Sequence, residues 1–114
     1  MFKQLGQVAG LLQQLPKLKA EMERLQERLS QVVALGDAGA GMVKVRVNGK
    51  LEVLSCSISE EAFRSGDREM LEDLLRAAVN QAMERARQHA AEETSKMAAS
   101  LGLPPGLGLP GVQG

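Results

Sequence analysis

The side chains that most often carry out covalent or metal chemistry are scarce in this sequence. It contains one histidine, His89, and one cysteine, Cys56. These two could form only a single thiol–imidazole pair, and nucleophilic catalysis requires the nucleophile and its base to meet. A zinc site needs three or four such ligands, and no carboxylates stand out as an acid–base pair. The sequence therefore predicts no catalytic residues, no metal site and no enzymatic activity.

A glycine-rich stretch, GDAGAG at residues 36–41, has a composition that could suggest phosphate binding. Known phosphate-binding loops lead into a helix whose N–H groups point at the anion, and many contain Gly-Lys-Ser or Gly-Lys-Thr. Here a strand pattern follows, and that tripeptide is missing from the sequence. We interpret the stretch as a flexible link that ends the first helix, and we expect no bound cofactor.

The basic side chains are the remaining chemically informative group, and they are unevenly distributed. The chain has 14 basic and 14 acidic residues. Residues 1–50 carry eight basic and four acidic side chains, whereas residues 51–114 carry six basic and ten acidic ones. A positive surface is therefore compatible with zero net charge. The single cysteine suits a reducing compartment, and no stretch approaches the roughly 18 apolar residues of a membrane span, so we expect a cytoplasmic protein without membrane contact.

The first long segment has an apolar residue every three or four positions, which is typical of the seam of a coiled-coil-like helix. Pro16 interrupts this segment because it lacks an N–H group and crowds the preceding turn. We expect the regular helix either to begin near Pro16 or to kink there, and to continue to about Leu35. The seam positions are Val8, Leu11, Leu15, Leu18, Met22, Leu25, Leu29 and Val32.

A β-hairpin is predicted next, because apolar and basic residues alternate up to Asn48-Gly49, a strong turn signal. If these two residues form the whole turn, Val43 lies opposite Leu54 and the return strand continues to about Ile58. Leu51 and Val53 then share a face with the basic residues. The turn length is left open by the sequence. The apolar strand residues are Val43, Val45 and Val47, and the basic ones are Lys44 and Arg46.

A second long helix is predicted from Asp67, a plausible N-cap residue, to about Ser100. Its polar stretch beyond Ala86 is expected to project into solvent, and the Gly/Pro-rich residues 102–114 are expected to be extended or disordered. Its apolar stripe consists of Leu71, Leu74, Leu75, Ala78, Val79, Ala82, Met83 and Ala86.

These elements predict an α+β fold with a long N-terminal helix, an antiparallel hairpin or small sheet, and a long C-terminal helix. Residues 1–101 would form a single domain, followed by the tail at 102–114. Neither helix can bury its whole stripe against one small hairpin, so we expect a dimer. The residues expected in the core or at the dimer contact are Leu18, Met22, Leu25, Leu29, Val43, Val45, Val47, Leu54, Leu71 and Leu75.

Three motifs in this order resemble the YbaB/EbfC family of bacterial nucleoid-associated proteins: GAGMVKVRVNG at 39–49, REMLEDLLRAAVNQA at 68–82, and LPPGLGLP at 103–110. The resemblance covers almost the whole chain. It implies a homodimer formed largely through the hairpin region, with helices projecting as paired arms. It also implies binding to double-stranded DNA in the nucleoid with little sequence preference, and a link to replication or recombination proteins.

A DNA-binding function directs attention to the basic residues, since any binder must place Lys or Arg along the rows of phosphates. Taken singly, each of them is equally typical of an ordinary solvated surface. No segment has the Arg- and Asn-rich pattern of a base-reading helix. The candidate phosphate-binding residues are Lys17, Lys19, Arg24, Arg28, Lys44, Arg46, Arg76, Arg85, Arg87 and Lys96.

Two functional hypotheses follow. In the first, the protein is a dimeric DNA-binding protein that organises the chromosome or serves replication or repair through phosphate contacts. In the second, it is an adaptor whose helical arms and tail bind replication or recombination factors, and DNA binding is incidental. The neutral net charge favours the second hypothesis, whereas the family resemblance and the positive first half favour the first.

Overall fold

The computed structural model describes residues 2–102, except for the side chains of residues 2–8 and 11. It confirms the predicted α+β class, with two long helices enclosing a small antiparallel sheet. The predicted tail beyond Gly102 and the seam side chains of Val8 and Leu11 lie outside the described residues. The elements are α1 (Phe2–Gln31), β1 (Val33–Ala38), β2 (Val43–Asn48), β3 (Val53–Ile58), α2 (Glu60–Arg64) and α3 (Arg68–Ser100).

Helix α1 is longer at its start and shorter at its end than the sequence predicted. It runs through Pro16 without a break in the helical assignment, so the expectation that the helix begins there is wrong. It ends at Gln31 rather than Leu35 because the following residues form β1. The hairpin turn packs against this end, where the backbone N–H of Gly49 donates to the carbonyl of Leu29 at 2.8 Å. This bond satisfies one of the carbonyls that a helix end leaves without a partner.

Strand β1 was not predicted, and it replaces the first half of the expected flexible link at 36–41. It pairs antiparallel with β2, so the sheet has the order β1-β2-β3. The buried positions of β1 are Ala34 and Gly36, and its larger residues face solvent. This reverses the usual pattern of large residues inside, because α3 crosses β1 very closely. A Cβ atom on Gly36 would lie 1.9 Å from the carbonyl oxygen of Ala78.

The turn between β2 and β3 is longer than the two residues considered above. Asn48 and Glu52 pair through their backbones, and Leu51 adopts a positive φ of 64°. The side-chain oxygen of Asn48 accepts from the N–H groups of Lys50 and Glu52 at 3.0 Å each. Val43 therefore pairs with Ile58 rather than Leu54. A bulge beside Val47 also shifts the register, so the predicted cross-strand neighbours were wrong.

The core lies between α3 and the inner face of β1 and β2. The β2 valines at 43, 45 and 47 are fully buried, and they face three alanines of α3 spaced four residues apart. Small residues at that spacing form one strip along a helix, which allows the helix to lie close to the sheet. The buried alanines are Ala78, Ala82 and Ala86, and Leu71, Leu74, Leu75, Val79 and Met83 pack beside them.

Helix α3 begins as predicted, with Asp67 accepting a hydrogen bond from the N–H of Met70 at 3.0 Å. Its far end does not simply project into solvent, because the buried Met97 packs against Leu25 and Leu29 of α1. The two helices thus form an arm that extends away from the sheet. The chain is accordingly elongated, with extents of 74 × 21 × 17 Å and a radius of gyration of 20.4 Å, against about 13 Å for a compact chain of this length.

The polar connection predicted at 59–66 contains the short helix α2. Ser59 caps it by accepting a hydrogen bond from the N–H of Ala62 at 3.1 Å. None of the helices within residues 2–102 combines the length and the apolar character that crossing a membrane requires.

Candidate nucleic-acid interface

The strand β2 places two basic side chains on the outer face of the sheet. Because side chains alternate along a strand, the burial of the β2 valines against α3 directs Lys44 and Arg46 to the opposite, exposed face. Their partners on β3 are Ser57 and Ser55, respectively. Directly opposed residues have Cβ atoms about 5 Å apart. The outer face therefore presents two cations beside two hydroxyl groups, all of which are suited to phosphate oxygens.

These two serines were missed by the sequence analysis. Under the predicted two-residue turn, Leu51 and Val53 would have flanked Lys44 and Arg46. The three-residue turn and the bulge bring the serines there instead. The signal that could have found them is the sequence Ser-Cys-Ser itself, whose alternation places both hydroxyls on the same face of β3.

The basic residues of α1 lie on two sides of the helix. Lys17, Arg24 and Arg28 are separated by seven and four residues, which places them on one side at 3.6 residues per turn. Lys19 lies instead at the rim of a shallow apolar groove lined by Leu15, Leu18 and Met22. Arg24 pairs with Glu21 at 2.9 Å, and Arg28 reaches Glu93 of α3 at 3.4 Å.

Most basic residues of α3 are paired with carboxylates of the same helix. Arg76 lies 3.5 Å from Asp73, Arg87 lies 3.6 Å from Glu84, and Lys96 lies 3.4 Å from Glu93. Arg68, which was not among the candidates, lies 3.4 Å from Glu72. In contrast, Lys17, Lys19, Lys44 and Arg46 make no ion pair among the residues that the structure describes.

Arg85 is positioned differently from every other candidate. Its Nη1 donates to the backbone carbonyl of Leu35 in β1 at 2.7 Å. On the same side, the side chain of Gln81 accepts from the N–H of Asp37 at 2.6 Å. These contacts join α3 to β1 and occupy part of the hydrogen-bonding capacity of Arg85, which indicates a structural role for this guanidinium.

The residues considered first for catalysis lie apart in the element order. Cys56 is exposed on β3, and His89 on α3 lies 3.8 Å from Glu92. Within residues 2–102, no three His, Cys, Asp or Glu side chains are grouped as a metal site would require. Residues 36–41 form the end of β1 and a turn, in which the N–H of Gly41 donates to Asp37 at 2.7 Å.

The residues expected in the core or at a dimer contact divide into two groups. Leu25, Leu29 and the three β2 valines are buried within one chain, and Leu71 and Leu75 are partly buried against the core. Leu18, Met22 and Leu54 are exposed in the single chain. Any burial of these three side chains requires a segment or chain outside residues 2–102.

Comparison with known proteins places this architecture in a family. The model of the YbaB/EbfC DNA-binding family matches residues 4–101. The chain belongs to the YbaB/EbfC family. Nucleoid-associated proteins from two strains of Rhodopseudomonas palustris are each 40% identical to this YbaB/EbfC member over 100 residues, covering 88% of this chain and 94% of theirs. The family predicted from the three motifs is thereby confirmed.

A solved structure supports the same fold for this YbaB/EbfC chain. The crystal structure of an uncharacterized protein from Helicobacter pylori matches it with a TM-score of 0.61 and 25% sequence identity. The match covers 84% of this chain and 94% of the Helicobacter pylori chain. The long helices and the small sheet are therefore features that the two proteins have in common.

Proposed function

We propose that this chain is a nucleoid-associated protein that binds double-stranded DNA as a homodimer in the bacterial cytoplasm, without enzymatic activity. The observation that carries the proposal is the placement of Lys17, Lys19, Lys44 and Arg46, which are exposed and make no ion pair among the described residues. Cations in that state can approach phosphates without first breaking a protein contact. Family membership supports DNA as the ligand.

Binding through these side chains would depend on the phosphate backbone rather than on the bases. Phosphate contacts fix the position of a protein on the duplex but carry no direct sequence information. Each neutralised phosphate also releases a counterion, so the affinity falls steeply with salt. We therefore expect little sequence preference and a role in organising the chromosome, with replication or repair as the setting.

The homodimer is proposed on the state of β3. This strand is an edge of the sheet, so one row of its backbone groups lacks a strand partner. All six of its residues are exposed, including Val53 at 50%, Leu54 at 48% and Ile58 at 41%. Pairing with the β3 strand of a second copy would satisfy the backbone groups and cover these apolar side chains.

Light scattering at micromolar concentration tests this arrangement. We expect the mass of a dimer for the native chain, and a shift toward the monomer for Leu54→Lys. A matched control is Leu35→Lys, which adds the same charge at an exposed position of β1, the strand that α3 covers. A monomeric mass for the native chain would contradict the proposed dimer.

The DNA-binding proposal is tested by fluorescence anisotropy with short duplexes of unrelated sequence. We expect similar affinities for all duplexes and a steep loss of affinity as salt is raised. Absence of binding at low salt would overturn the proposal. The adaptor hypothesis would then be preferred, since the exposed apolar surface of α1 is a feature that a protein partner could use.

A further inference from the structure

The apolar seam of α1 is covered over only part of its length. Near the sheet, Leu25 and Leu29 are buried beneath Met97 of α3. Toward the start of α1, the same seam continues through Leu15, Leu18 and Met22. Leu12, Leu15, Leu18 and Met22 are between 37% and 59% exposed, and no segment within residues 9–102 covers them.

The uncovered part of the seam forms a groove with a defined rim. Leu15, Leu18 and Met22 make its floor, and Lys19, Glu23 and Gln26 flank it. From Leu12 to Leu25 the helix rises about 20 Å at 1.5 Å per residue. An isolated helix of this length is only marginally stable in water, so a segment that covers the groove would also stabilise the helix.

The chain leaves α3 at the end of this groove. Leu101 packs against the cluster of Leu25, Leu29 and Met97, and its N–H donates to the carbonyl of Met97 at 3.1 Å. Gly102 then adopts a positive φ of 74°, a conformation that commonly ends helices. The residues that follow Gly102 therefore start beside α1, next to the uncovered part of the seam.

The composition of residues 103–114 matches the groove. The segment LPPGLGLPGVQG contains no Asp, Glu, Lys or Arg, and it has four apolar side chains at Leu103, Leu107, Leu109 and Val112. Its three prolines oppose a helix and favour an extended chain of about 3.1 Å per residue. Twelve such residues span about 37 Å, which exceeds the roughly 20 Å of the groove.

We propose that residues 103–114 pack lengthwise in the apolar groove of α1 of the same chain, against Leu15, Leu18 and Met22. Attachment at Leu101 holds the segment at a high effective concentration beside the groove, which favours it over the same segment of a second copy. The segment then acts as a brace that keeps the free part of α1 helical. Lys17 and Arg24, which lie on the opposite side of α1, stay exposed to solvent.

Hydrogen–deuterium exchange on the full chain and on a chain lacking residues 103–114 tests the brace. We expect the amides of residues 12–22 to exchange about tenfold faster after the deletion, because this part of α1 opens more often. The amides of residues 33–58 should be unchanged, which also shows that the shortened chain is folded. Equal exchange of residues 12–22 in both chains would overturn the proposal.

A matched pair of substitutions locates the contact on the groove. Leu18→Glu should accelerate the exchange of residues 12–22 as much as the deletion does, and the two changes combined should add nothing further. Gln13→Glu adds the same charge to the opposite side of α1 and should have little effect. If the exchange is unaffected by the deletion but accelerates on dilution, a second copy covers the groove and the proposal is wrong.

A cross-link distinguishes a contact within one chain from a contact between chains. The pair Leu18→Cys and Leu107→Cys is introduced together with Cys56→Ser and oxidised mildly with diamide. We expect a disulfide that retains the mass of one chain on a denaturing, non-reducing gel. A product with the mass of two chains, or no disulfide, would contradict packing within the same chain.

Discussion

The basic side chains of α3 and those of the first half of the chain differ in their surroundings more than in their number. Four basic residues of α3 lie within 3.6 Å of a carboxylate of the same helix, namely Arg68, Arg76, Arg87 and Lys96. Four basic residues of α1 and β2, Lys17, Lys19, Lys44 and Arg46, have no such partner among the described residues. We call these two sets the paired set and the unpaired set.

This difference shows why a net charge of zero does not argue against binding to a polyanion. The acidic residues that balance the total charge are concentrated after residue 50, where α3 uses many of them in pairs along its own surface. The positive potential of the first half is therefore left uncompensated locally. Over distances longer than about 10 Å, salt screens most of the effect of the acidic residues on it.

The comparison depends on a platform that both sets need, and Gly36→Ala should disrupt it with the largest effect. The new Cβ would lie 1.9 Å from the carbonyl oxygen of Ala78, so α3 must move away from β1. We expect a loss of about 3 kcal/mol in the free energy of unfolding, measured by urea denaturation. Gly10→Ala is the control, because nothing lies within 4 Å of its Cβ. A wild-type midpoint for Gly36→Ala would refute the close packing of α3 on β1.

Neutralising the unpaired set should weaken DNA binding strongly. The variant Lys17→Gln, Lys19→Gln, Lys44→Gln and Arg46→Gln removes four cations that would each contact phosphate. We expect at least about a hundredfold loss of affinity at low salt, because each lost phosphate contact also removes about 0.9 from the salt slope. Anisotropy measures both quantities.

Neutralising the paired set provides the matched control, since Arg68→Gln, Arg76→Gln, Arg87→Gln and Lys96→Gln change the net charge by the same amount. We expect the affinity to stay within about threefold, because these cations are already partly neutralised. A loss as large as that of the unpaired set would show that total charge, rather than location, governs binding.

Arg85→Gln should affect stability rather than binding, which would separate this residue from both sets. The substitution removes the hydrogen bond from Nη1 to the carbonyl of Leu35, at an expected cost of about 1 kcal/mol. Thermal denaturation should reveal the loss while the anisotropy titration remains unchanged. Arg87→Gln, one turn away on the exposed surface, should alter neither quantity appreciably. Unchanged stability with weakened DNA binding would instead place Arg85 among the phosphate contacts.

The smallest effect is expected from the two serines beside the unpaired set. Ser55→Ala with Ser57→Ala removes two hydroxyls next to Arg46 and Lys44. We expect a two- to fivefold loss of affinity, since a neutral hydrogen bond contributes about 1 kcal/mol or less. Ser100→Ala at the end of α3 is the control. If the double variant binds as tightly as the native chain, the outer face of the sheet contributes through charge alone.

The long helices, the hairpin and the family could be predicted because their signals are local. The heptad spacing of α1, the alternation of β2 and the cap at Asp67 each lie within a few residues of one another. Strand β1 was missed because its buried residues are Ala34 and Gly36, which give no alternating apolar pattern. Their small size makes sense only once α3 is known to cross above them.

The surroundings of the candidate site depended on contacts that the sequence pattern does not specify. Leu51 at positive φ lengthens the turn and alters every pairing along β3, although residues other than glycine and asparagine are uncommon there. The pairing of the α3 cations and the bond from Arg85 to β1 depend on rotamers and on distant segments. The basic residues could therefore be named from the sequence, but their division into two sets could not be predicted.

The central claim is that location decides which cations engage DNA, and the salt dependence of binding by the two fourfold variants tests it most directly. A plot of log affinity against log salt should have a markedly shallower slope for the unpaired-set variant than for the native chain. The paired-set variant should keep the native slope. Equal slopes for the two variants would contradict the claim and return the question to net charge.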